Sequence, residues 1–415
     1  MTGRGRHLLH ADHGFATGGG LFARWRALGI RSIVDRVDRS LEQGGLQIVL
    51  PDGSERTLGF RTEGPRAAVT INSWKALVRL ATSGSVGWYK AWANGEWESA
   101  DPVKIFELFS ANAVPLGNVG RAKGPAKLVN RAWHVLRDNS PLGAKANIAA
   151  HYDLGNDFYA AWLDETMTYS SARFGSGEET LEQAQRHKVD LLLDRLDLKP
   201  GQRLLEIGCG WGNLAIQAAQ RGAKVVGLTL STEQKAWAEA RIADLGLSDR
   251  IEIRLQDYRD CSEQFDAVAS VEMVEAVGRR WWPTYLDCIA RNLRPGGRAA
   301  LQFIAIDHRI YESYAATPDF IQTYIFPGGI LLDEPSFAGL AVERGLSWQD
   351  RDAFRLDYAE TLRRWRDRYD VAIGAGTLKG FNEPFHQLWR YYLMYCEGGF
   401  RGGSIDVAQV TMIKS

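Results

Sequence analysis

Cysteine is scarce: four in 415 residues, at positions 209, 261, 288 and 396, and no two form a CxxC pair. That spacing argues against a structural zinc knot and a disulfide framework, and it fits a reducing, cytoplasmic setting. Long apolar runs are missing too. No stretch approaches the roughly 20 residues that span a bilayer, and the opening MTGRGRHLLHADHG has no continuous apolar core of the signal-peptide kind. Any membrane contact is therefore expected to be peripheral, at the inner face. Net charge is absent as well, with 50 Lys/Arg against 50 Asp/Glu. The balance hides an asymmetry: residues 1–150 carry 20 basic and 12 acidic side chains, the remainder 30 and 38. A basic front half suits an anionic surface, although solvated charge is the plainer reading. What is present, 45% hydrophobic and 24% charged residues, describes an ordinary globular chain long enough for two or three domains.

The first 20 residues are Gly- and His-rich and read as loose. Residues 21–112 read as a small α+β domain. Within it LQIVLPDGSERTLGF turns at Asp52-Gly53 as a hairpin, SWKALVRLATSG has helical spacing ending on Gly84, and an aromatic stretch breaks at Asn94-Gly95. Residues 113–145 concentrate Pro and Gly as a linker, with a basic amphipathic helix around Leu128, Trp133 and Leu136. From residue 146 the grammar changes. RLLEI, KVVGLTL, RIEIRLQD, FDAVASV and RAALQFIAI read as strands alternating with helices, which predicts a parallel sheet covered on both faces. Ser231 and Gln234 are spaced as a capping box. Ligands then belong at the carboxyl ends of the strands.

LLEIGCGWGNLAI follows a strand and opens a helix. Its Gly208-Cys-Gly210-Trp-Gly212 is GxGxG rather than the dinucleotide GxGxxG, Thr229 stands where a nicotinamide site wants an acid, and no Walker lysine is present. Glu206, at the strand end beside glycines that admit a ligand, suits a positively charged cofactor. In SVEMVEAVG, Glu272 and Glu275 follow an apolar strand, and both can be read as helix-start acids.

EIGCGWG resembles motif I of class I S-adenosylmethionine (SAM) methyltransferases. HYDLGNDFYAAWLDETMTYSSARF, LTLSTEQKAWA, SVEMVEAVG, FIQTYIFPGG and YYLMYCEGGFRGG narrow the resemblance to the cyclopropane fatty acid synthase family over residues 150–412. It implies a doubly wound, mainly parallel seven-stranded sheet with a smaller N-terminal domain, the catalytic domain covering 146–415 with an apolar insertion near 307–332. It also implies a SAM site. Tyr169 and Ser170 would close over the cofactor, with Glu206, Gly208 and Gly210 in the loop. Thr229 and Gln234 would contact its ribose and methionine end, and Asp257 and Tyr258 the adenine. No metal is implied.

The reaction implied is attack by a C=C bond on the sulfonium methyl, which leaves a carbocation in an apolar pocket, stabilised by negative potential and relieved by a base. In cyclopropane synthases the resemblance implies a bound bicarbonate as that base. Glu275 and Tyr358 match its holders; Ser171 stands for the usual cysteine and Gln302 for the usual histidine, with Ala276 in place of another. These departures weigh against bicarbonate and ring closure. Glutamine at position 302 accompanies methyl- and methylene-forming members, so branch-forming methylation of unsaturated phospholipid acyl chains is expected ahead of cyclopropanation. An apolar tunnel for the acyl chain is expected from residues 310–332 and 385–395, including Tyr324, Phe326, Trp389 and Tyr392. The basic front half is expected to dock on anionic head groups. Two other readings stand beside these, small-amine N-methylation and a non-catalytic lipid-binding relic. A nucleic-acid substrate is disfavoured by the lack of an NPPY or Pro-Cys element, and the choice between monomer and homodimer is open.

Overall fold

The computed structural model describes residues 4–9, 33–117, 154–175 and 177–415. The basic helix expected around residues 128–136 lies outside them, as does most of the linker. The chain divides into two compact units, and neither is contiguous. One comprises residues up to 137 with 307–327 and 379–405; the other comprises 138–306, 328–378 and 406–415.

In the first unit four strands, β1 (Gly45–Val49), β2 (Glu55–Gly59), β3 (Arg66–Ile71) and β4 (Trp97–Glu98), pair in the order β2-β1-β3-β4. The expected hairpin joins β1 and β2. Gly53, at φ +80°, makes the turn, and its N–H donates to the Leu50 carbonyl. The helix after it does not stop at Gly84. It runs Trp74–Ala93, capped by Ser73, and Gly84 (φ +58°, ψ −138°) is a kink inside it. Glycine spacing alone does not distinguish a stop from a kink, and apolar residues such as Val86, Trp88 and Tyr89 keep the second half buried.

Helix Pro102–Ala111 packs on helix Glu383–Gly402 at the closest range backbone allows. A Cβ at Gly398 would come 2.3 Å from Phe106 Cβ, and one at Gly402 2.3 Å from the Glu107 carbonyl oxygen. Residues 307–327 and 379–405, read from sequence as part of the catalytic domain, thus belong to the first unit's core. There Tyr89 meets Tyr324, Phe320 and Tyr391 with ring centroids 4.9–5.0 Å apart.

The second unit holds a seven-stranded sheet: β5 (Arg203–Ile207), β6 (Lys224–Thr229), β7 (Ile251–Leu255), β8 (Phe265–Val271), β9 (Leu293–Ile306), β10 (Leu346–Ala353) and β11 (Ile405–Lys414). The order is β10-β11-β9-β8-β5-β6-β7. Pairs β5/β6, β6/β7, β5/β8 and β8/β9 are parallel, and β10/β11 is antiparallel. This is the mainly parallel seven-stranded sheet that the resemblance implies. Strands β5 and β8 are buried along nearly their whole length, as a sheet covered on both faces requires. The strand order reverses at β5, which pairs with β6 on one side and β8 on the other. A crevice therefore opens at the carboxyl ends of β5 and β8, just where the glycine loop and the two glutamates leave the sheet.

Candidate active site

Glycines 208, 210 and 212 all have positive φ (+82°, +51° and +85°), so the loop after β5 curls back under its own strand. The N–H groups of Gly208 and Cys209 donate to the Leu228 carbonyl of β6. A Cβ on Gly208 would come 2.8 Å from Met273 Cγ, whereas one on Gly210 would meet nothing within 4 Å. The loop borders a cavity of about 200 Å³. Tyr169, Ser170, Glu206, Gly208 and Gly210 line it, and so do Thr229, Gln234, Asp257 and Tyr258 from the neighbouring strand ends. Every residue assigned to the cofactor from sequence therefore meets in one place.

Their local bonds refine the roles. Thr229 Oγ1 donates to Gln234 Oε1 at 2.9 Å, while Ser231 caps the helix Thr232–Asp244 by accepting from the Gln234 N–H. Gln234 thus turns its side chain to Thr229 instead of completing the expected capping box. Both oxygens of Asp257 are held by the Arg259 guanidinium, at 2.8 Å each. Its carboxylate is thereby neutralised beside the flat face of Tyr258.

The chemistry of the cavity is set by buried charge. Glu206 is 4% exposed, and its Oε2 has no hydrogen-bond partner. Burial pushes its carboxyl up to about 8, against the pull of the nearby Lys188 ammonium and the Ala215 N–H. Lys188, also buried, donates to Ser170 Oγ at 2.7 Å, and burial lowers it to about 8 despite Glu272, Asp164 and Glu206. SAM fits this wall, because its ammonium group would satisfy the orphaned Glu206 oxygen and the cavity offers anionic side chains to its sulfonium.

Residues 140–410 match the family model described as mycolic acid cyclopropane synthetase. The chain belongs to this family. It is 40% identical to the tuberculostearic acid methyltransferase UfaA1 of Mycobacterium tuberculosis over 390 residues, covering 89% of this chain and 88% of the relative. It is 35% identical to the cyclopropane-fatty-acyl-phospholipid synthase of Escherichia coli, covering 80% and 84%. Among solved structures it is similar to the mycolic acid cyclopropane synthase CmaA1 complexed with SAH and CTAB. That match has 32% identity and a TM-score of 0.61, covering 65% of this chain and 98% of that one. The protein is accordingly a SAM-dependent methyltransferase of the cyclopropane synthase family.

The residues assigned to chemistry converge less on Glu275 than on its neighbour. The Ser171 N–H (2.9 Å) and Gln302 Nε2 (2.8 Å) donate to Glu272 Oε1, and the Tyr358 hydroxyl donates to Oε2 at 2.6 Å. Glu272 lines the cavity; Ser171, Gln302, Tyr358 and Glu275 do not. Burial raises the Glu272 carboxyl, opposed by Tyr358, the Ser171 N–H, Lys188 and Gln302. Glu275 accepts from the Ile304 N–H, and its buried Oε2 receives no donor from another residue. Burial and then the charge of Glu272 push it up to about 8. The negative charge of the pair therefore resides on Glu272.

Sequence reasoning left Glu272 as a helix-start acid and did not single out Lys188 or Gln409. Lys188 had a readable signal. It shares a helical face with Leu181, Gln185 and Leu192, all buried in helix Leu181–Arg195, so a lysine there sits on the apolar side. Of the expected tunnel residues, Tyr324, Trp389 and Tyr392 are at most 5% exposed, and Phe326 packs edge-on against Tyr392 at 6.3 Å in the first unit.

Proposed function

We propose that this enzyme methylates the C=C bond of an unsaturated acyl chain carried on a membrane phospholipid, and that its product is a methyl- or methylene-branched chain rather than a cyclopropane. The observation that carries the reading is the commitment of Ser171, Gln302 and Tyr358 to Glu272. A base built on the wall at that point takes its proton from whichever carbon it faces, and its position decides between ring closure and a new double bond. The similarity to a tuberculostearic acid methyltransferase over nearly the whole chain supports a branched product. The excess of Lys and Arg in residues 1–150 supports docking on anionic head groups at the inner membrane face.

Expression in a host rich in monounsaturated phospholipid, followed by mass spectrometry of the fatty acid esters, tests the product. Branched or methylene esters are expected, and cyclopropane ester alone would overturn the branched reading. With purified enzyme on anionic vesicles, binding is expected to weaken as salt rises; binding indifferent to salt would remove the docking role.

A further inference from the structure

The glutamate that opens the SVEMVEAVG loop has an unusual backbone. Glu272 sits at φ +48°, a region that costs a non-glycine residue about 1–2 kcal/mol. Its N–H donates to the Gln302 carbonyl at 2.8 Å, while the Gln302 side chain donates back to its carboxylate. This two-way clamp aims the side chain. A fixed outward register continues behind it. Gln302 Oε1 accepts from Gln409 Nε2 at 3.1 Å, and Gln409 Oε1 accepts from Arg195 Nε at 3.2 Å. With its acceptor end taken by Gln409, the Gln302 amide can only present N–H groups, one to the Ser171 carbonyl and one to Glu272.

The lone pairs of the carboxylate are therefore unequally used. A carboxylate oxygen accepts about two hydrogen bonds. Oε1 already takes two, from Ser171 and Gln302, and Oε2 takes one, from Tyr358. Only Oε2 keeps room for a proton. Glu275, by contrast, has one strong donor and is held neutral by burial beside that charge, so it cannot serve as the base while its proton is in place.

Resting on the alkene-methylation reading, we propose that Glu272, through Oε2, is the base that removes the proton from the methylated acyl chain. The C=C electron pair forms the bond to the sulfonium methyl, the carbon–sulfur bond breaks with its electrons left on sulfur, and the positive charge passes to the chain. Oε2 then takes a proton in one of two ways. It comes from a chain carbon next to the cation, so that the C–H pair closes a double bond within the methyl-branched chain. Or, after the hydrogen on the methylated carbon has shifted with its electron pair to the cationic carbon, it comes from the new methyl, so that the C–H pair closes an exocyclic methylene. Neutral glutamic acid results, and its proton leaves to solvent after product release. The net change is one methyl gained by the lipid and one proton released, with no oxidant or reductant. The three donors on the carboxylate also lower its nucleophilicity, so proton transfer competes against ester formation with the cation. Tyr358, Gln302 and Gln409 are positioning residues in this scheme.

The test compares wild type with Glu272→Gln and Glu272→Gly on monounsaturated phospholipid vesicles in carbon-dioxide-free buffer, with and without added bicarbonate or formate, alongside SAM affinity by calorimetry. Wild type is expected to turn over equally with and without bicarbonate. Glu272→Gln is expected to bind SAM yet lose at least about a hundredfold in turnover, the usual worth of a general base. Glu272→Gly suits the positive φ and is expected to regain part of the rate when formate or bicarbonate is added; this variant carries the test should Glu272→Gln fail to fold. Turnover of Glu272→Gln within about threefold of wild type, or a wild type that works only with bicarbonate, would overturn the assignment. A wild type that leaves the alkene unmethylated would instead remove the substrate reading itself.

Discussion

Glu272 and Glu275 face different constraints although only Met273 and Val274 separate them in the chain. Three donors and the Lys188 ammonium favour charge on Glu272, whereas Glu275 has burial and the Glu272 charge against its ionisation. Because the folded Glu275 carboxyl titrates near 8 instead of its ordinary 4.5, the folded protein binds one more proton than the unfolded chain between those values. The stability this contributes is full below the unfolded value and is lost as pH rises through the folded one. Glu275→Gln removes that dependence. In denaturant melts, the variant is expected to gain on wild type by about 2–2.5 kcal/mol between about pH 5.5 and about pH 7.5. Parallel pH profiles for the two proteins would show that Glu275 ionises freely. Glu206 shifts in the same direction and is common to both proteins, so it cancels in the comparison.

At the scale of elements, the glycine turn and the strands around it could be read from sequence because their signals are local. A strand, a GxGxG loop and a helix lie within about twenty consecutive residues, and the nine cofactor assignments met in one cavity. The role of Glu272 could not be read that way, since its donors lie 101, 30 and 86 positions away along the chain. Strand periodicity places a residue at the end of β8 but does not say what approaches it from elsewhere. The turn itself yields a paired prediction. Gly208 and Gly246 both have positive φ, so alanine at either position should cost about 1 kcal/mol. Only at Gly208 does the new Cβ also press on Met273 beside the cavity; at Gly246 it meets open space. Calorimetry is expected to show at least a tenfold loss of SAM affinity, about 1.4 kcal/mol, for Gly208→Ala and none for Gly246→Ala. Equal affinities would mean the loop yields without disturbing the cofactor site.

For the whole molecule, the interleaved units explain why domain boundaries read from sequence went astray. Amphipathic spacing in Glu383–Gly402 shows that the helix buries one face, yet nothing local tells it to pack on Pro102–Ala111 nearly 300 residues earlier. The first unit is consequently not a module that can be cut at its linker. A fragment of residues 33–117 lacks the helix that Phe106 packs against through Tyr391 and Tyr395, and that Ser110 bonds through the Gly399 carbonyl. By circular dichroism it is expected to melt without a cooperative transition, and a sharp melt would show that the amino-terminal sheet suffices alone.

The placement of β11 adds a consequence for synthesis. This strand comes from residues 405–414 yet sits between β10 and β9, both made earlier. As the chain leaves the ribosome, β9 must wait with one edge unpaired for nearly a hundred residues before its neighbour arrives. An exposed apolar edge of that kind is a template for pairing with another nascent chain. Crowded translation, more than heat, is then the condition under which this enzyme is most exposed to misassembly, and slowing its production should recover more active protein than cooling the finished enzyme.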